Sequence, residues 1–191
     1  MIKQIKRPVL RGGVILAIGA LITAMFVLIS YRRGPAQSAE PGSVAGRGKP
    51  VVLHGRLLGG GHLNTARWKG KVIVVDFWGT WCPWCLKLAP YIEKLYGKYH
   101  PQGLEVVGVP LASTAAAVRR FRKAHPKGDW PQFFDKPPGN GILAQAFGIS
   151  GLPTELVIDR RGILRHILVG YAPGQLAADV RKLLAKTASR H

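Results

Sequence analysis

Apolar residues follow two alternating patterns over residues 51–186, and the clearest change of pattern falls near residue 80. Residues 71–78 (KVIVVDFW) are mostly β-branched and apolar, which predicts a strand buried on both faces. From Cys85 to Tyr99, apolar residues recur every three or four positions, which predicts a helix with one apolar face. Residues 81–85 therefore lie where the strand leads into the helix, at or near the helix N-terminus.

The same two patterns predict the remaining elements of the chain. Residues 51–58 and 62–64, separated by three glycines, indicate a hairpin ahead of the main strand. Further strands are predicted at 104–111, 130–135, 155–159 and 163–171, and further helices at about 114–125, 142–147 and 173–186. Because strands and helices alternate before two strands pair locally, the expected fold class is α/β with a mixed sheet.

The first 50 residues carry a different pattern. Residues 13–31 are 19 residues without a charge, close to the roughly 20 that a membrane-spanning helix needs. Four basic residues precede this stretch and two follow it, which favours a cytoplasmic N-terminus. A signal peptide cleaved near 36–38 is the alternative, but the long apolar run and the intervening Arg32 and Arg33 favour an uncleaved anchor. The predicted organisation is a basic N-terminus and transmembrane anchor over 1–33, a flexible linker over 34–50 and one domain over 51–191.

Composition narrows the classes of function. The 191 residues, 47% of them apolar, suffice for one packed domain with a small appendage. The formal charge of +19 comes with no nucleic-acid-binding motif, so a solvated basic surface near anionic lipid is expected rather than nucleic-acid binding. The basic residues of one predicted helix are likewise expected to form a solvated face: Arg119, Arg120, Arg122 and Lys123.

Both cysteines of the chain belong to one motif, Cys82-Pro83-Trp84-Cys85. Two intervening residues suit a reversible dithiol/disulfide couple, and a helix N-terminus favours the reactive thiolate. Cys82 is predicted to be the nucleophile and Cys85 the thiol that resolves mixed disulfides. Half of a zinc site is an alternative, but no second pair of ligands has suitable spacing, so no metal ligand is assigned. A Cu(I)-binding module using the two thiolates is the competing class of function.

Asp76 is the candidate proton acceptor. A carboxylate inside an apolar strand is costly unless it is used or paired, and burial raises its pKa toward the range where it can accept the Cys85 proton. A tolerated, hydrogen-bonded aspartate at the strand end is the alternative.

Pro153 precedes a predicted strand and forms the second part of the candidate site. A trans bond to Leu152 is the default, whereas a cis bond would leave the Leu152 backbone open to an extended substrate, and the sequence does not choose between them. The predicted substrate contacts are Trp81, Pro83, Trp84, Leu152 and Pro153.

In their order and spacing, these motifs resemble membrane-anchored thioredoxin-fold proteins of the TlpA/ResA type, relatives of the cytochrome c maturation thioredoxins. The resemblance covers about residues 51–186 and rests on DFWGTWCPWC at 76–85, Pro90, GLPT at 151–154 and DRRG at 159–162. It implies a thioredoxin fold, with a cis Pro153 facing Cys82 and the acid of Asp76 beneath Cys85.

The chain departs from many members of this family at the strand position of Asp76 and at Leu88. Many such proteins carry a glutamate three residues after the second cysteine, where this chain has Leu88, so no role is borrowed from that glutamate and the case for Asp76 is stronger. Glu155 is unexpected in a buried strand; it is predicted to face the surface, with a second acid near the thiols as the alternative.

The resemblance implies an extracytoplasmic protein thiol-disulfide oxidoreductase that reduces specific substrate proteins, as in cytochrome c or metal-site maturation. A thiol oxidant is an alternative. No cofactor is implied, because the redox-active disulfide of Cys82 and Cys85 carries the electrons. The implied partners are substrate proteins with disulfides or thiols, a membrane electron donor or acceptor, and the membrane itself. The implied location is the cytoplasmic membrane, with the C-terminal domain in the periplasm or outside the cell.

Overall fold

A computed structural model describes residues 46–134 and 141–186 of the chain. Its strands are β1 (His54–Arg56), β2 (His62–Asn64), β3 (Val72–Trp78), β4 (Leu104–Pro110), β5 (Thr154–Ile158) and β6 (Leu164–Val169). Its α-helices are α1 (Pro83–Tyr99), α2 (Ala115–Ala124), α3 (Ile142–Ala146) and α4 (Pro173–Ala185). Two short 3-10 helices, Thr65–Trp68 and His100–Gln102, lead into β3 and β4.

The main sheet has four strands in the order β4-β3-β5-β6. β3 pairs parallel with β4 and antiparallel with β5, and β5 pairs antiparallel with β6. All seven residues of β3 are buried, as its continuous apolar run predicts. The predicted mixed α/β sheet is confirmed, and the N-terminal hairpin forms a separate two-stranded sheet from β1 and β2.

Alternation along β3 divides the core between the two faces of the sheet. Val72 and Val74 point to the face that carries Leu88 of α1 and Leu176 of α4. Residues of the opposite parity pack in the other cluster: Ile73, Val75 and Phe77. Asp76 has the parity of Val72 and Val74, so its carboxyl group lies on the face covered by α1.

The strand predicted over 130–135 does not form in its described part, residues 130–134, so the prediction is wrong there. Gln132 and Phe133 make only isolated bridges, to Gly108 of β4 and to Leu57. Two backbone hydrogen bonds hold the segment to β4, from Gly108 N–H to the Pro131 carbonyl and from Phe133 N–H to the Gly108 carbonyl. Pro131 has no N–H to extend a ladder, and the segment turns from β4 toward the N-terminal hairpin. It therefore bridges two sheets instead of forming a strand.

The predicted membrane anchor, and the linker as far as residue 45, lie outside the described residues and stay predictions. Within residues 46–134 and 141–186, no helix combines the length and apolar character needed to cross a membrane.

Candidate active site

The two cysteines form a disulfide at the N-terminus of α1. Cys82 is the N-cap residue, and its sulfur accepts a hydrogen bond from the Cys85 backbone N–H at 3.1 Å. Pro83 occupies the first turn, where its missing N–H costs no hydrogen bond. The predicted position of both sulfurs at a helix N-terminus is confirmed.

Both cysteines are buried, whereas the tryptophans next to them in the sequence lie on the protein surface. Trp81 and Trp84 are 56% and 54% exposed. The Trp81 indole N–H donates to the Leu111 carbonyl at 3.2 Å, which fixes that ring beside the end of β4. The Trp84 ring lies 5.5 Å from the Tyr171 ring, with the Lys87 ammonium 5.0 Å from the Trp84 centroid. The predicted contacts Trp81 and Trp84 are thus accessible to a protein substrate.

The loop before β5 reaches the same site. The Leu152–Pro153 peptide bond is cis, as the family resemblance implies. Leu152 packs against the small cluster that contains both cysteines, Trp78 and Val118. The structure therefore brings the predicted contact Leu152 to the disulfide, although about 70 residues separate them along the chain.

Asp76 lies two residues before the end of β3, on the face of the sheet that α1 covers. Burial raises the pKa of its carboxyl group to about 7 from an ordinary value of 3.8, and the nearby positive charge of Arg122 opposes part of that rise. The Asp76 Oδ1 atom has no hydrogen-bond partner among the described residues. A narrow cleft brings Asp76 together with Cys85, and its lining is Asp76, Trp78, Cys85, Ala89, Phe121, Arg122, Trp130 and Gln132. The structure thus places this acid and Cys85 on one cleft, and the role of Asp76 stays a prediction.

Glu155 does not face the surface, so that prediction is wrong. It is fully buried and lies directly opposite Asp76 in the antiparallel pairing of β5 with β3. Burial first, and then the charge of Asp76, raise the pKa of Glu155 to about 9 from 4.5. The physical reason is that β5 is an inner strand covered on both faces. The unbroken apolar surroundings of Glu155 in the sequence were the available signal.

Two further residues of the cleft carry no signal in the sequence. The Gln132 side-chain oxygen accepts from the Trp78 indole N–H at 3.1 Å. The Arg122 guanidinium lies 4.7 Å from the centre of the Trp130 ring and is half-buried, so the expected solvated face of α2 is wrong at this position. Burial lowers the pKa of Arg122. No group of three or more metal-binding side chains occurs in the part of the chain that the structure describes.

Comparisons with known proteins agree with this geometry. The sequence model of the Redoxin family matches residues 45–185. The thiol-disulfide oxidoreductase ResA of Bacillus thuringiensis subsp. konkukian is 32% identical over 127 residues, which cover 66% of this chain and 71% of that protein. The ResA of Halalkalibacterium halodurans is 33% identical over 116 residues, 61% of this chain and 64% of its own.

Solved structures give the same result for the fold. A putative thiol:disulfide interchange protein DsbE from Chlorobium tepidum superimposes with a TM-score of 0.65 at 25% identity, covering 73% of this chain and 98% of its own. A thiol:disulfide interchange protein of the thioredoxin family from Chlorobium tepidum TLS gives 0.64 at 26% identity over the same shares. Since the family match spans nearly the whole described region and includes the cysteine pair at the helix N-terminus, the chain belongs to the Redoxin family and is a protein thiol-disulfide oxidoreductase with a thioredoxin-like fold.

Proposed function

We propose that this chain reduces disulfides in particular partner proteins, with Cys82 as the nucleophile, Cys85 as the resolving thiol and Asp76 as the acceptor of the Cys85 proton. The observation that carries this proposal is the buried Asp76 carboxyl group in one narrow cleft with Cys85. An acid whose pKa lies near 7 can both take up and return a proton at neutral pH.

The reaction runs in two exchanges. The Cys82 thiolate attacks one sulfur of the substrate disulfide, and the other substrate sulfur leaves and takes up a proton. Cys85 then loses its proton to Asp76 and attacks the Cys82 sulfur, which releases the second substrate sulfur as a thiolate that water protonates. The substrate gains two electrons, and the protein is left with the Cys82–Cys85 disulfide. A separate dithiol or electron donor must reduce it again.

Electrostatics favours the reducing direction. A carboxylate beneath the cysteines repels a thiolate, which destabilises the reduced form of the protein and makes the dithiol a better electron donor. The N-terminus of α1 acts in the opposite sense because it stabilises a thiolate on Cys82. Asp76 is the group that can lower the reduction potential of the couple.

Location and partners extend the proposal beyond the described residues. The uncharged stretch at 13–31 and its basic flanks support a single membrane anchor with the redox domain outside the cytoplasm. A membrane electron donor would then supply the electrons. The exposed Trp81 and Trp84, together with Leu152 and Pro153, would contact the substrate protein. Substrates of cytochrome c or metal-site maturation are the class that the resemblance to the TlpA/ResA type suggests.

Trapping of mixed disulfides tests the assigned roles of the cysteines. In the full chain, Cys85→Ser should accumulate a mixed disulfide between Cys82 and a protein substrate, because no thiol remains to resolve it. Cys82→Ser, the matched control, should trap nothing and should lose turnover. Non-reducing electrophoresis followed by mass spectrometry of the linked peptide identifies the sulfur involved. Trapping by the Cys82 variant alone would show that the two roles are reversed.

The reduction potential of the Cys82/Cys85 couple tests the direction. We expect a value near the roughly −270 mV of thioredoxin, measured by equilibration with glutathione or dithiothreitol buffers. A value near the roughly −120 mV of the strong oxidant DsbA would overturn the proposal of a reductant.

Copper measured on the reduced protein checks the competing metal-binding class, which requires stoichiometric Cu(I) and no disulfide turnover.

A further inference from the structure

Glu155 is a buried acid that the two exchanges above do not use. It is fully buried in β5, and neither of its carboxyl oxygens has a hydrogen-bond partner among the described residues. The register pairs it directly with Asp76 of β3. Side chains directly opposite each other in an antiparallel pair share one face, with their Cβ atoms about 5 Å apart. The two side chains therefore lie next to each other on one face of the sheet, and the charge of Asp76 acts on Glu155.

Two carboxylates this close in a buried site do not both ionise, because each charge lacks water and repels the other. The pair therefore retains one proton over the neutral range. Aspartic acid dyads in other enzymes hold a single proton for the same reason. The surroundings of each carboxyl group determine which of the two keeps that proton.

The surroundings of the two acids are unequal. Asp76 borders the cleft and is stabilised as a carboxylate by the positive charge of Arg122 from α2. On its face of the sheet, Glu155 has apolar neighbours, Val157 along β5 and Leu168 opposite on β6. The only charge that acts appreciably on Glu155 among the described residues is that of Asp76 itself. The negative charge therefore belongs on Asp76 and the proton on Glu155.

The remaining titratable groups on this side of the sheet leave that assignment intact. From α1 the group that shares the cleft with Asp76 is Cys85, which is itself the reactant of the resolving step. From β6 and α4 they are His166 and Asp179, which face each other at 3.4 Å, and Asp179 also accepts from Gln175. His166 and Asp179 therefore interact with each other and not with the pair of Asp76 and Glu155.

We propose that Glu155 is a positioning residue for the resolving step. Glu155 holds the proton of the Asp76–Glu155 acid pair and donates it in a hydrogen bond to Asp76, so that Asp76 is the ionised carboxyl group beside Cys85. This proposal rests on the proposed role of Asp76 as acceptor. During resolution the Cys85 proton goes to Asp76 and the pair then carries two protons. One proton leaves through the cleft after the substrate has dissociated, and no electrons pass through the pair.

The test follows the resolving step in the full chain as a function of pH. Reduced protein is mixed with an aromatic disulfide that liberates a coloured thiolate; the first equivalent reports attack by Cys82 and the second reports resolution by Cys85. Glu155→Leu removes the donor to Asp76, so the pH midpoint of the second phase should rise by about one unit. Glu155→Gln keeps an N–H donor and should move the midpoint by less than half as much. Asp179→Asn, a matched buried acid on α4, should leave it unchanged.

A spectroscopic measurement covers the case in which Glu155→Leu does not fold. The carboxyl carbon resonance of Asp76 should titrate in two steps in the wild-type chain and in one step in Glu155→Gln, and the Glu155 resonance should be that of a protonated acid at pH 7. A Glu155 that is ionised at pH 7, or an unchanged midpoint in Glu155→Leu, overturns the proposal. A purely structural role would change stability without moving the midpoint.

Asp76→Asn separates this proposal from the one on which it rests. If that variant resolves as fast as the wild type at pH 7 while the two-step titration persists in the wild type, the acceptor role has failed and the pair has no part in the resolving step. If Asp76→Asn is slow and Glu155→Leu is normal, the acceptor role stands and the role of Glu155 is overturned.

Discussion

Gly108 shows how a single position on β4 shapes the cleft next to Asp76. The register places Gly108 beside Asp76 across the parallel pair, and the Gln132 side chain occupies the space where a Cβ atom at residue 108 would lie. From there Gln132 accepts the hydrogen bond of the Trp78 indole. The absence of a side chain at one residue thus allows a polar side chain to reach the face of the sheet that carries Asp76 and Glu155.

Gly108→Ala should therefore destabilise the protein by about 1–3 kcal/mol, because the new methyl group displaces Gln132 and leaves the buried Trp78 N–H without an acceptor. The measurement is chemical denaturation of the oxidised protein. Gly97→Ala is the matched control, since no atom lies within 4 Å of a Cβ placed there in α1. The control should gain up to about 1 kcal/mol from improved helix propensity. Equal effects at the two positions would contradict the steric argument.

At the scale of single elements, the spacing of apolar residues predicts the type of an element and the face that it buries. The run from Val72 to Trp78 and the helical periodicity after Cys85 each contain enough residues to specify type and buried face, and both elements are confirmed. The segment predicted as a strand at 130–135 makes only two bridges in its described part, residues 130–134. Whether it pairs along its length depends on where β4 and the N-terminal hairpin lie, which is not encoded within six residues.

Some residues of the candidate site can be predicted from the sequence, and others are brought to it only by the fold. The cysteine spacing and the charge of Asp76 are visible in the sequence because each is unusual where it stands. The contact between Glu155 and Asp76 depends on the register of β3 with β5, two strands far apart in the chain. Arg122 lies on an amphipathic helix whose rotation decides whether it faces water or the cleft. Register and rotation are properties of the packed sheet, so periodicity does not reveal them.

At the scale of the whole molecule, the acid pair is a cost to stability. The chain carries only nine acidic residues against 28 basic ones, yet two of the nine are buried in the inner strands of the main sheet. Each has a folded-state pKa above its unfolded value, so the folded chain binds more protons than the unfolded chain between about pH 4 and pH 9. A protein selected for stability alone would have apolar residues at both positions.

The sign of the resulting pH dependence follows from proton binding. Since the folded state holds the extra protons, the free energy of unfolding falls as pH rises, by about 1.4 kcal/mol per pH unit for each extra proton bound. The stability contributed by the protonated acids is fully present below about pH 4 and is lost as pH rises through 7 and 9. Urea denaturation of the disulfide form between pH 5 and pH 8 should show this decline in the wild type and a much flatter profile in Asp76→Asn/Glu155→Gln. Parallel profiles for the wild type and the double variant would mean that the two acids titrate normally, and the buried pair would then have no free energy to contribute to the chemistry of Cys85.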